Sequence, residues 1–203
     1  MIPIKKIIEG EVLLINKPLR WTSFDVVNKL RIMLTQIGKV KLKVGHAGTL
    51  DPLATGLLII CTGKMTKKVD EFQAEEKEYT GTFTLGSTTP SFDLETEVNQ
   101  TFRTEHITEE IIRNAAKQFT GTIQQIPPVY SAVKIGGKRA YDLTRAGKTA
   151  EMKSKEVTIT SFQITGIEMP VVRFKVVCSK GTYIRSLADD RSEERRVGKE
   201  CRL

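Results

Sequence analysis

Three observations predict an α+β fold for this chain of 203 residues. Apolar residues alternate as in strands over 78–85, 157–167 and 171–178. They recur at three-to-four spacing over 23–38 and 108–119, as in helices with one buried face. Strands and helices do not alternate strictly, which separates the pattern from doubly wound α/β folds. The expected architecture is a mixed, mostly antiparallel central sheet flanked by helices and loops.

Residues 1–10 hold two lysines and no apolar signal core, so no secretory peptide is expected. Residues 11–15 read as a short strand ending at Asn16-Lys17-Pro18. Thr22 or Ser23 then serves as an N-cap, with Asp25 in the first turn where the helix dipole favours negative charge. Val26, Val27, Leu30, Met33, Leu34 and Ile37 supply the apolar face of that helix, and Gly38 ends it. Two strand-like runs follow, 40–44 and 57–61, and 64–72 is a shorter helical candidate.

Residues 86–102 are polar and turn-rich and read as a loop. The helix over 108–119 carries Glu109 and Glu110 in its first turn and is closed by Gly121. Residues 124–155 differ in character, with Pro127-Pro128, Gly136-Gly137 and many lysines and arginines. This is a basic, irregular segment inside a well-patterned chain. Strands 157–167 and 171–178 meet around Met169-Pro170, and Gly181-Thr182 opens a last helix through Ile184, Leu187 and Ala188.

The composition is that of an ordinary water-exposed protein, 39% hydrophobic and 28% charged. The longest uncharged apolar run is strand-sized, far short of a bilayer span. Cys61, Cys178 and Cys201 are odd in number and lack metal-ligand spacing, so reduced thiols in the cytoplasm and no metal are expected. The net charge of +8 suits a polyanionic partner, since cations near phosphates release condensed counterions.

One loop concentrates the chemical signal. Gly45-His46-Ala47-Gly48-Thr49-Leu50-Asp51-Pro52-Leu53-Ala54-Thr55-Gly56 places a single carboxylate, Asp51, between two strand-like runs. Pro52 excludes a helix through Asp51. A backbone so rich in Gly, Thr and Pro belongs at a surface or in a cleft.

This loop resembles the catalytic loop of the bacterial TruB family of tRNA pseudouridine synthases. Four further segments resemble the family's motifs, in the family's order. They are Leu14-Ile15-Asn16-Lys17-Pro18 with Thr22-Ser23; Lys77-Glu78-Tyr79; Ile126 to Lys134 with Gly137-Lys138 and Tyr141; and Cys178 to Leu187, which contains Arg185. The resemblance implies a pseudouridine-synthase fold with an RNA-gripping insertion over 124–155. It also implies an isomerase that converts the T-loop uridine of tRNA (position 55) to pseudouridine, without cofactor or metal. A protein partner is not required, and a monomer is expected.

The same resemblance assigns roles. Asp51 is the catalytic carboxylate, attacking C1′ or abstracting the C2′ proton. Arg185 pairs with it and holds it ionised. Tyr79 stacks on the extracted base, and His46 fills the space that the flipped uridine vacates. Lys17 braces the site or contacts RNA, while Lys134, Lys138, Arg139 and Tyr141 grip the RNA. A tRNA-binding folding factor without chemistry and an RNA-guided synthase subunit are the competing readings. The intact Asp51, Tyr79 and Arg185 favour the enzyme.

The resemblance ends at Asp189-Asp190. Residues 191–203 lack apolar periodicity and resemble the translation of a sequencing adapter. Residues 1–190 are therefore expected to form an incomplete catalytic domain, followed by a non-native tail. Members of the family often carry a small C-terminal RNA-binding domain beyond this point.

Overall fold

In the computed structural model, residues 3–131, 133–140 and 152–189 are described, with backbone alone at Lys134, Ile135, Lys138, Arg139 and Asp189. The chain divides into two compact units, Met1–Glu75 and Glu76–Leu203.

The first unit opens with a helix the sequence reading did not anticipate, α1 (Ile4–Gly10). Its apolar signal is only Ile4, Ile7 and Ile8, the one-turn spacing of a single face. Strand β1 (Val12–Lys17), helix α2 (Ser23–Gly38), and strands β2 (Val44–His46) and β3 (Gly56–Thr62) follow. The strands form an antiparallel sheet in the order β1-β3-β2, with Lys17 opposite Gly56 and His46 opposite Ile60. Val26 and Val27 of α2 pack with Leu58 and Ile60 of β3 as the unit's core. Full burial of each such side chain contributes roughly 1.5–3 kcal/mol.

A reciprocal cap starts α2. Thr22 Oγ1 accepts from Asp25 N at 3.1 Å, and Asp25 Oδ2 accepts from Thr22 N at 2.8 Å. Lys39, in the left-handed conformation at φ 52°, ends the helix. Residues 40–44, expected as a strand, have pairing only at Val44. Their alternation instead inserts Leu42 into the interior while Lys41 and Lys43 stay exposed. The helix expected over 64–72 is split into a 3₁₀-helix, Gly63–Lys68, and α3 (Val69–Ala74).

The second unit is built on a four-stranded antiparallel sheet. Strands β4 (Lys77–Thr84), β7 (Gly121–Gln125), β10 (Lys155–Glu168) and β11 (Val171–Cys178) lie in the order β4-β11-β10-β7. Helix α4 (Glu109–Lys117) packs against β10, and Ile112 and Ala116 enter the core. Phe83 and Phe174 stack at 4.1 Å, and Phe162 meets both edge-on. Gly81 allows that stack, since a Cβ there would lie 2.9 Å from the Phe174 ring.

Gly121, expected to close α4, opens β7 with φ 110°. Two short ladders lie outside the main sheet: β5 (Ser87–Thr88) with β6 (Gln100–Thr101), and β8 (Lys134–Ile135) with β9 (Lys138–Arg139). Thus 124–155 is not irregular throughout. Gly136 and Gly137, at φ 57° and 81°, supply the two left-handed positions that a tight hairpin turn requires. The unit's final described helix is α5 (Ile184–Asp189).

Candidate active site

In the first unit, Asp51 is half-buried in the loop joining β2 to β3. The residues on either side of it are fixed by groups from the β1–α2 junction. On one side, Ser23 Oγ accepts from Leu50 N at 2.9 Å and donates to Leu50 O at 3.2 Å. On the other, the Pro52 carbonyl accepts from Arg20 N at 2.7 Å and Lys17 Nζ at 3.3 Å. A local turn adds Ala54 N donating to Asp51 O at 3.0 Å. The carboxylate therefore sits on backbone held from both directions.

Lys17 is the organising cation of this arrangement. It is fully buried at the end of β1, and its ammonium also donates to Pro18 O at 3.0 Å and Trp21 O at 2.5 Å. Burial pushes its pKa below the ordinary lysine value, and the carboxylates of Asp51 and Asp25 oppose that drop. Such burial corrects the expectation that Lys17 contacts RNA, because an ammonium enclosed by backbone carbonyls presents no surface to a phosphate. Its place in the structure is that of a brace. His46 ends β2, half-buried, with Nδ1 2.5 Å from Gly48 O, so the glycine-rich turn fixes the ring's orientation.

In the second unit, Tyr79 lies on β4 opposite Val176 and packs half-buried against the aromatic core. Arg185, in α5, is a mostly buried cation with a side chain 13% exposed. Nη1 donates to Ser91 O at 3.2 Å and lies 3.5 Å from Asp93 Oδ2; Nη2 donates to Tyr130 O at 3.1 Å. The start of α5 is pinned by Gln125, whose side-chain amide bonds both Tyr183 N and Tyr183 O. Ser186 Oγ adds a bond to Ile126 O at 2.8 Å.

Sequence reasoning assigned no site role to Gln125 or Asp93, and met Ser23 only as a helix-cap candidate and a motif residue. Asp93 organises the 86–102 excursion through bonds from Ser91 Oγ and Glu95 N, and carries Arg185 beside it. The only sequence signal for it was a cluster of Ser, Thr and Asp, the composition of a self-bonded loop. Lys134 and Arg139 pair in backbone register across the β8–β9 hairpin, with Lys138 opposite Ile135. Tyr141 and residues 191–203 lie outside the described residues. Among the described residues no cluster of three or more His, Cys, Asp or Glu could hold a metal ion, and no helix is long and apolar enough to cross a membrane.

Residues 35–184 match the model of the TruB family pseudouridylate synthase, N terminal domain. The chain belongs to the TruB family. It is thereby an enzyme of the pseudouridine synthase class. Curated relatives named tRNA pseudouridine synthase B include one from Flavobacterium johnsoniae, 60% identical over 187 residues, which cover 90% of this chain and 81% of that relative. Another, from Parabacteroides distasonis, is 59% identical and covers 90% of this chain and 78% of its own length.

Among solved structures, a chain of a Cbf5-Nop10-Gar1 complex superposes with a TM-score of 0.64 at 29% identity. That match covers 91% of this chain but 44% of the other. A chain from an H/ACA RNP bound to a substrate RNA containing 2′-deoxyuridine gives 0.60 at 25% identity, covering 91% and 43%. This TruB-family chain therefore spans less than half of those longer proteins. The α+β, antiparallel fold expected from the sequence is the fold shared with these chains.

Proposed function

We propose that this chain isomerises the T-loop uridine of tRNA, position 55, to pseudouridine, with Asp51 as the catalytic carboxylate. The supporting observation is the two-sided clamp on the Asp51 backbone: Ser23 on Leu50, and Lys17 and Arg20 on Pro52. The reaction cleaves N1–C1′, turns the base and joins C1′ to C5, so its first need is one aimed carboxylate at the sugar. A near-attack geometry held by fixed backbone supplies that aim.

In this reading Tyr79 offers a stacking surface to the base from a rigid strand. Arg185 supplies positive charge in a site largely withdrawn from water. His46, its ring fixed by Gly48, occupies the stack left by the flipped uridine. Lys134, Lys138 and Arg139 present a basic hairpin to the RNA backbone, with Tyr141 beyond it. The enzyme works as a cytoplasmic monomer without cofactor.

The test incubates the protein with unmodified tRNA transcript and maps pseudouridine by carbodiimide modification and primer extension. Product at position 55 is expected from the wild type, and none from Asp51→Asn, which still binds tRNA. Normal turnover by Asp51→Asn removes Asp51 from the chemistry. Tight binding without product by the wild type supports the folding-factor reading instead.

A further inference from the structure

The positive charge of this protein is not confined to the basic insertion. Residues 1–75 carry 12 Lys and Arg against seven Asp and Glu, whereas residues 76–190 carry 15 against 14. The second unit up to the tail is thus nearly neutral as a whole, although residues 124–155 alone hold seven Lys and Arg against two acids, and the first unit carries an excess of its own.

Within that first unit the excess is gathered by three segments that meet. Helix α1 packs on the end of α2, where a Cβ at Gly38 would strike the Ile8 side chain at 2.4 Å. The same helix packs on the 3₁₀-helix: a Cβ at Gly10 would lie 2.8 Å from Lys64 N, and one at Gly63 2.6 Å from the carbonyls of Ile8 and Glu9. Buried Thr62 fastens this junction, accepting from Glu11 N and donating to Ile7 O. Gly63 N donates to Lys43 O at 2.9 Å, which brings in the third segment, 39–43.

Each segment carries exposed lysines: Lys5 and Lys6 on α1, Lys41 and Lys43 before β2, Lys64 and Lys67 on the 3₁₀-helix. The lysines outnumber the nearby acids: Glu9 and Glu11 lie on and just after α1, Asp70 and Glu71 follow the 3₁₀-helix, and Glu71 is engaged by Lys68 at 3.8 Å. Lysine ammonium groups spread over a stiff, glycine-jointed platform fit a row of phosphates, which they meet as point charges without reading sequence.

We infer that the α1, 39–43 and 3₁₀-helix surface is an RNA-backbone docking surface, separate from the basic insertion, and that it supplies much of the electrostatic attraction for the substrate. The inference rests on the tRNA reading above and adds to it a location for that attraction. Its occupant is RNA phosphate, and its contribution is affinity rather than catalysis.

The experiment titrates tRNA against the full chain by fluorescence anisotropy at several salt concentrations. The wild type is compared with the quintuple variant Lys5→Gln, Lys6→Gln, Lys41→Gln, Lys64→Gln and Lys67→Gln. Each lost phosphate contact lowers the slope of log K against log salt by about 0.7 to 0.9, so five lower it by about 4. A fall of two or more, with kcat at saturating tRNA unchanged and KM raised, supports the surface. A smaller fall overturns it, as does an equal fall per charge in Lys29→Gln with Lys117→Gln, which would report net charge alone. A wild type that neither binds nor modifies tRNA fails the substrate reading itself; a normal wild type beside an unaffected variant fails only the docking surface.

Discussion

Replacing Ser23 by alanine separates the positioning of Asp51 from mere stability of the helix that bears Ser23. Ser23 is 2% exposed and both accepts from and donates to the Leu50 backbone, at 2.9 and 3.2 Å. Each bond is worth about 0.5–1.5 kcal/mol net, so Ser23→Ala is expected to cost about 2 kcal/mol. For a protein of this size that lowers Tm by roughly 4–8 °C. The loss frees the residue immediately before Asp51, and a misplacement on the order of 1 Å at a reacting group costs about 100-fold in rate. The neighbouring Thr22→Ala is the internal comparison, because Thr22 caps the same helix and its side chain bonds Asp25 rather than the catalytic loop. Loss of such a cap costs typically about 1 kcal/mol. Urea unfolding and single-turnover pseudouridine formation on both variants give the answer. Both should be destabilised, but only Ser23→Ala should lose kcat strongly with tRNA affinity intact. Equal losses of kcat in the two variants refute the positioning argument, because the cap alone would then explain the defect.

Lys17→Met keeps the bulk of the buried side chain and removes its charge, so it should loosen Pro52 and lower kcat more than affinity for tRNA. Its stability carries a pH signature: Lys17 has a folded pKa below its unfolded value, so between the two the unfolded chain binds more protons. The charge penalty in the wild type is relieved as pH rises through that window. Wild type should accordingly gain stability relative to Lys17→Met as pH rises toward the ordinary lysine range, and a flat difference in urea midpoints excludes the assignment. Arg185→Lys preserves charge but cannot reproduce the planar fork that serves Ser91 O, Tyr130 O and Asp93 together, and kcat should fall at least tenfold with the fold retained by circular dichroism. Full activity of Arg185→Lys would show that charge alone suffices at this position.

Much of the architecture was legible because side-chain periodicity and burial agree. The alternation over 171–178 predicts β11 to the residue, and Thr22 with Asp25 announces the start of α2 by the chemistry of its first turn. Other features depended on partners distant in the chain. The run 40–44 alternates like a strand, yet a ladder needs a neighbouring backbone in register, and only Val44 joins one. Gly121 follows a helix as a terminating glycine should, but its positive φ serves the entry to β7. At the site, Asp51 and Arg185 stood out through their motifs. Lys17 read as a brace or an RNA contact, and its burial was not legible, because burial of an ammonium depends on carbonyls that converge only after Trp21 and Pro52 are brought beside it. The partners of Ser23 and Asp93 were hidden for the same reason: a hydroxyl or a loop carboxylate has no periodicity by which to reveal what it bonds.

The contact between His46 Nδ1 and the Gly48 carbonyl has a consequence for which edge of the ring is left to meet a partner. A carbonyl only accepts, so Nδ1 carries the hydrogen, and in the neutral ring Nε2 is then the acceptor. The glycine turn therefore selects a tautomer as well as an orientation, and the ring offers RNA a flat face with an acceptor at its far edge. Nitrogen NMR shifts of His46 in the neutral ring would record this as one tautomer, with the hydrogen on Nδ1.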